Sequence, residues 1–202
     1  MSWWRMAGLY SSSILLALAL SFSGIAFAFS TLTQESTLRA FVQEVTLSQG
    51  KTLEEADATF NDLYFKTFPC SFLQCMVNPP PEGAAVVLVS NIGHDFFSLS
   101  AQLSIILAIL CALIILFSAE TSAQRLKGFG IPFIVAGLNI LLKPISQGIL
   151  IRAVPQDTAS YVQALVTKIF STCTVYFAVM LVIGIILTGI GIMIAKKYPR
   201  TI

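Results

Sequence analysis

The stretch Phe96–Ala119, FFSLSAQLSIILAILCALIILFSA, holds twenty-four residues and not one charge. As a helix rising about 1.5 Å per residue it reaches ~36 Å, enough to cross a hydrocarbon core of ~30 Å. Lipid offers no partner to a peptide N–H or C=O, so a lone span must bond those groups within itself, and the helix is the form that does so. The sequence therefore predicts an all-α integral membrane protein. Every other segment is placed by the side of this span on which it falls.

Composition agrees. The 202 residues are 56% hydrophobic and 11% charged, with a mean hydropathy of +0.83, whereas a soluble domain is roughly 25% charged. The formal net charge of +2 conceals a segregation: eight of the ten acids lie between Ser30 and Phe96, where only Arg39, Lys51 and Lys66 of the twelve bases are found. That acidic balance excludes nucleic acid as a partner, because nucleic acid needs a basic footprint. Phosphate-cradling glycine loops, zinc-ligand spacings and a Gly-x-Ser-x-Gly elbow are all missing from the sequence, so no cofactor, no metal and no enzymatic activity are expected.

Residues 1–29 read as a first transmembrane helix. No charge falls between Met6 and Gln34, Arg5 flanks the run, and Trp3 and Trp4 suit the membrane–water interface. Ala17/Ser21 and Gly24/Ala28 are small pairs that let a neighbouring helix approach. The alternative is a signal peptide with the core ILLALAL and Ala26-Phe27-Ala28 before the cut; the apolar length exceeds the short core of a signal and favours retention.

Residues 30–90 change to an amphipathic pattern and read as a small helical cap outside the membrane. Leu38, Phe41, Val42 and Val45 recur at the spacing of one helix face, with Thr31 and Gln34 as a capping box and Gly50 as a stop. A second helix follows, opened by Thr52 with Glu55, striped by Leu53, Ala56, Phe60 and Leu63, and ended by Pro69. Cys70 and Cys75 come next in CSFLQC, before the stiff Pro79-Pro80-Pro81. The apolar run Ala84–Val89 fits more than one secondary structure. A cap of about fifty residues is too small for an independent core, so it leans on the bundle or on a partner.

Residues 91–202 read as three spans, at about 92–118, 128–151 and 158–197, which completes a four-helix bundle. Between the first two of these, 119–127 is a tight basic connection. Lys143-Pro144 breaks the middle one, since proline frees the carbonyl four residues back. Gly184, Gly189 and Gly191 thin the last one for close packing. Arg5, Arg125, Lys127, Lys196, Lys197 and Arg200 all fall at one set of span ends. Basic flanks stay inside, so both termini face the cytoplasm of a plasma-membrane protein and residues 30–90 face out.

Three sets of residues could carry chemistry. Cys70 and Cys75, on the oxidising side, read as a local disulfide; a redox pair would ask for C-x-x-C in a βαβ setting, and zinc for two ligands more than the chain's single His94 leaves available. Asp95, Gln102, Asn139 and Lys143 read as a polar vestibule in the outer half of the bundle, with an Asp95–Lys143 ion pair; the competing reading lets Lys143 snorkel to the surface. His94 beside Asp95 lacks a nucleophile and reads as a hydrated helix start. Cys111 and Cys173 read as inert thiols.

Four spans with a long first outer loop holding a close cysteine pair resemble the claudin-like tetraspan layout. The resemblance is topological: that layout's loop tryptophan is absent, both tryptophans being Trp3 and Trp4, and topology does not fix function. The sequence favours an accessory, assembly or interaction subunit that contacts the lipid bilayer and a protein partner or a second copy. A small transporter or channel subunit using the vestibule is the alternative, and an extracytoplasmic thiol oxidoreductase trails both.

Overall fold

Apolar residues spaced by three and four, with no alternating run among them, fold as helix throughout. The computed structural model describes residues 3–81, 83–142 and 159–197, and no strand occurs among them. In order they form α1 (Trp3–Leu32), α2 (Glu35–Ser48), α3 (Leu53–Tyr64), α4 (Phe72–Val77), α5 (Ala84–Val89), α6 (Asn91–Ser118), α7 (Ser122–Gly137) continued by a 3-10 turn (Leu138–Leu142), and α8 (Ala159–Lys197).

Three of these are long and apolar enough to cross a membrane: α1, α6 and the Thr167–Lys197 part of α8. Only 44%, 22% and 17% of their most apolar windows are buried within the protein. The remaining faces carry side chains such as Ile106, Phe117, Val175 and Ile185, all more than half exposed. Such faces would be an aggregation hazard in water and suit hydrocarbon. The chain is a membrane protein.

The segment predicted as a span at 128–151 is less simple. Its helix starts earlier than expected, at Ser122, inside what reads as a connection, because Thr121 caps it by accepting the Gln124 N–H at 3.2 Å. α7 lasts 16 residues, or ~24 Å, and then tightens into the 3-10 turn. Lys143, the predicted break at Pro144 and the turn before α8 lie outside the described residues.

The chain separates into two compact units. One comprises Met1–Ile25, Ala101–Lys143 and Thr172–Ile202; the other comprises Ala26–Ser100 and Pro144–Ser171. In the first, Leu16 and Leu20 of α1, Cys111 and Ile115 of α6 and Ala136 of α7 form the buried core, with Leu9, Phe129, Phe133 and Met180 packed against it. α7 and α8 meet more closely than side chains would allow. A Cβ on Gly137 would stand 2.6 Å from the Leu181 Cβ and 2.7 Å from its backbone, and one on Gly184 would stand 2.6 Å from the Ile134 N. Gly191 faces Ala123 and Leu126 one heptad further along α8. A seven-residue repeat of small residues keeps one seam facing its neighbour along both helices.

In the second unit α2 and α3 form a hairpin. Leu38, Phe41 and Val42 are buried on one helix, and Ala56, Phe60 and Tyr64 on the other. The turn between them needs the positive φ of Gly50, 77°. The Thr52–Glu55 capping box forms as predicted, with the Glu55 N–H donating to Thr52 Oγ1 at 3.3 Å and the Thr52 N–H to Glu55 Oε2 at 3.0 Å. Arg39 reaches across the hairpin, lying 4.8 Å over the Phe60 ring and 3.4 and 3.7 Å from Glu35 and Asp57. The Thr31–Gln34 box does not form. α1 continues to Leu32, and Thr31 Oγ1 donates to the Phe27 carbonyl at 2.8 Å inside that helix. α3 ends at Tyr64, ahead of Pro69. The ambiguous run at 84–89 is helix, entered through Gly83 at φ 91°.

Gly137→Ala is expected to force α7 from α8 and to destabilise the protein by about 1–3 kcal/mol, the range for overpacking a closed contact. Gly189→Ala, where a Cβ meets nothing within 4 Å, is expected to be neutral or mildly stabilising. Thermal midpoints in detergent separate the two.

Candidate functional site

In the first unit three serines of α1 face three different partners on the neighbouring helices. Ser21 donates to the Ala17 carbonyl at 2.8 Å and accepts from Asn139 Nδ2 at 2.7 Å; the same amide also donates to the Ala136 carbonyl at 2.9 Å. Ser23 donates to the Leu20 carbonyl at 3.0 Å, so the Tyr176 hydroxyl, 3.0 Å away, is the donor between them. In both cases the serine spends its one proton on its own helix and offers its lone pairs to a neighbour. Ser13 differs. Its hydroxyl is 2.8 Å from the Leu9 carbonyl and 3.2 Å from the Gly128 carbonyl.

Gly128 is the residue whose carbonyl Pro132 leaves without an intrahelical donor, because Pro132 sits inside α7 and has no N–H. Ser13 of the adjacent helix shares its one proton between that carbonyl and the nearer Leu9 carbonyl, a three-centred bond. The sequence holds the proline, but with the span expected to start at Gly128 it stands in the first turns, where proline is unremarkable. Ser13 and Ser23 were not singled out either, since isolated serines in an apolar run read as small residues.

The four vestibule residues are therefore not shown as a set. Asn139 ties α7 to α1, Gln102 and Asp95 are exposed, and Lys143 lies outside the described residues, as does the proposed Asp95–Lys143 pair. Within the second unit Asp95 acts on Tyr64. Burial pushes the Tyr64 hydroxyl above its ordinary pKa, and the Glu35 and Asp95 carboxylates add to the effect by disfavouring a third negative charge. Tyr64 thus stays protonated in the fold, and the stability this carries is complete below pH ~10 and is lost only as the pH climbs through its raised value. His94 offers Nδ1 to the Thr33 hydroxyl at 3.3 Å; the Thr33 proton goes to the Phe29 carbonyl at 2.7 Å, which makes Nδ1 the donor.

Cys70 and Cys75 stand at disulfide-bonding distance, with Cα atoms 5.6 Å apart. The pair closes the entry to α4, a helix that the periodicity did not reveal. Between the two cysteines Phe72 is buried, stacked 4.2 Å from Phe96 and set edge-on to Phe97, which itself stacks 4.5 Å from Phe29. The bond and the aromatic group act together: one fixes the loop, the other fixes what the loop holds. Cys75 is fully buried, so an attacking thiolate has no access to its sulfur. Cys111 and Cys173 are free and buried. No group of three or more metal-ligating side chains occurs among the described residues.

The chain matches no known family model, no curated protein and no solved structure.

Three outcomes are expected from these contacts. Ser13→Ala is expected to destabilise the protein when Pro132 is present and to do so less in a Pro132→Ala background, where Gly128 regains a donor; the double-mutant cycle should give a coupling of about 0.5–1.5 kcal/mol. Replacing both Cys70 and Cys75 with Ser is expected to cost about 2 kcal/mol, the loop-closure value for so short a ring. Thiol titration should find that pair unreactive in the folded and the denatured protein alike, until an added dithiol reductant breaks the bond.

Proposed function

We propose that the chain is a non-enzymatic four-helix membrane protein whose outer helical cap, residues 30–90, binds a protein partner or a second copy, as an accessory or assembly subunit. The observation that carries this reading is the surface of the second unit outside its spans. Leu73 and Val77, one turn apart on α4, are 62% and 78% exposed, and Phe65 and Leu53 are about half exposed. Side chains of that size on amphipathic helices mark a contact surface when they gather on short elements.

Two further points support it. The hydroxyls and the amide that would line a conduction path in the transporter reading are spent on joining helices, as with Ser21 and Asn139. The burial of Cys75, one half of the disulfide, favours a fastening role over thiol exchange. In this reading residues 128–151 complete the fourth span. Basic flanks set both termini in the cytoplasm of the plasma membrane. α1 is retained, because cleavage after Ala28 would remove Leu16 and Leu20 from the core of the first unit along with the Ser13, Ser21 and Ser23 links.

Purification in mild detergent after cross-linking on intact cells tests the proposal. A stable companion or homo-oligomer is expected, and a solitary monomer at all cross-linker concentrations would overturn it. Leu73→Glu with Val77→Glu is expected to abolish the association while moving folding stability by no more than about 0.5 kcal/mol, as for exposed sites. A tag inserted at the Gly50 turn should be accessible from outside the cell.

A further inference from the structure

The first unit holds seven of the chain's bases and one acid, Glu120, and Glu120 is engaged by Arg5 at 3.5 Å. Arg5, Arg125, Lys127, Lys196 and Lys197 gather at the end where α1 and α7 begin and α6 and α8 finish, beside Trp3 and Trp4. At that end there is a cavity of about 370 Å³ lined by Thr121, Ser122, Ala123, Gln124, Lys127, Ile194 and Ala195. No carboxylate lines it among the described residues. The Thr121 hydroxyl accepts the Gln124 N–H and keeps its own proton to donate, the Ser122 hydroxyl is a second donor, and Lys127 brings a full positive charge. The opposite wall, Ile194 and Ala195, is the last apolar turn of a membrane-spanning helix.

We infer that this cavity binds the phosphate headgroup of an anionic phospholipid, with Lys127 as the charged contact. Donors and cation on one wall fit a phosphodiester oxygen. The apolar wall fits the glycerol and first methylenes that a lipid carries and a free anion lacks. A zwitterionic lipid brings its own cation into a lining that has no acid to receive it. Basic pockets between spans at the level of the headgroups are where anionic lipids are held, and the tryptophans fix the helix ends at that depth. The inference rests on α1, α6 and α8 as membrane spans and is independent of the proposed protein partner.

Native mass spectrometry of the full chain in detergent, with added phosphatidylglycerol or phosphatidylcholine of matched acyl chains, reads this directly. Preferential retention of phosphatidylglycerol is expected. Lys127→Gln should weaken it about fivefold, the effect of one basic residue at a charged lipid surface. Ala195→Phe, which fills the cavity and leaves every charge in place, should weaken it as well, and Lys66→Gln in the other unit should change nothing. Equal retention of both lipids would overturn the site. So would a loss that follows Lys196→Gln and Lys197→Gln as strongly as Lys127→Gln while Ala195→Phe has no effect, since that pattern belongs to a diffuse basic belt. Release of the protein from membranes by alkaline carbonate would instead count against the spans themselves.

Discussion

Hydrocarbon supplies neither a donor nor an acceptor, and the first unit is arranged around that fact. A proline inside α7 creates one carbonyl, that of Gly128, with no donor in its own helix. In water such a carbonyl would be hydrated at small cost; in lipid it costs several kcal/mol unless the protein meets it. Ser13 meets it from α1, and the contact fixes α1 against α7 at one height. Asn139 on Ser21 fixes the same pair about eight residues further along α1, and Tyr176 on Ser23 fixes α8. Each link is worth only about 0.6 kcal/mol on average in a bilayer, but each also sets a register that apolar contacts alone leave free.

The same solvent removes the drive that packs helices in water, since lipid tails are as apolar as leucine. Attraction between α7 and α8 then depends on how closely their backbones approach, which is decided by Gly137, Gly184 and Gly191. The outward faces are under no such demand. They keep bulky residues, and Gly189, which meets nothing within 4 Å, has no packing duty among the described residues. Two glycines five positions apart on one helix thus do opposite things, and only the facing helix tells them apart.

That distinction marks what could be read from the sequence. Three of the spans were legible because they follow from counting charges, the segment at 128–151 was not, and the Thr52–Glu55 cap was legible because both halves of the signal lie within four residues. The Thr31–Gln34 box failed because an identical local signal sat on a helix already propagating, whose own carbonyl took the threonine proton. α4 was missed because six residues are too few for a period to emerge. For the vestibule residues, spacing assigns a face on each helix but cannot say which neighbour that face meets. Asn139 meets Ser21, 118 positions away. Proline position was readable only in part: the rule that assigns a freed carbonyl to Gly128 needs no structure, but the helix start at Ser122 that sets Pro132 beyond the first turns does.

Charge makes a different demand on each unit. The second unit contains nine acids and five bases, and its internal contacts consume only part of that excess. Arg39 answers Glu35 and Asp57, and Gln43 also donates to Asp57 at 3.1 Å. Burial and the Glu35 and Asp95 carboxylates together disfavour ionisation of Tyr64. The remaining negative potential disfavours self-association through acid-rich faces and favours a partner with a basic rim, since complementary potentials accelerate encounter and like charges face to face are costly. Of the two occupants proposed for the apolar face of α4, a distinct basic protein therefore fits the charge of this unit better than a second copy does, unless that copy presents Leu73 and Val77 to their own equivalents and keeps its acids at the rim.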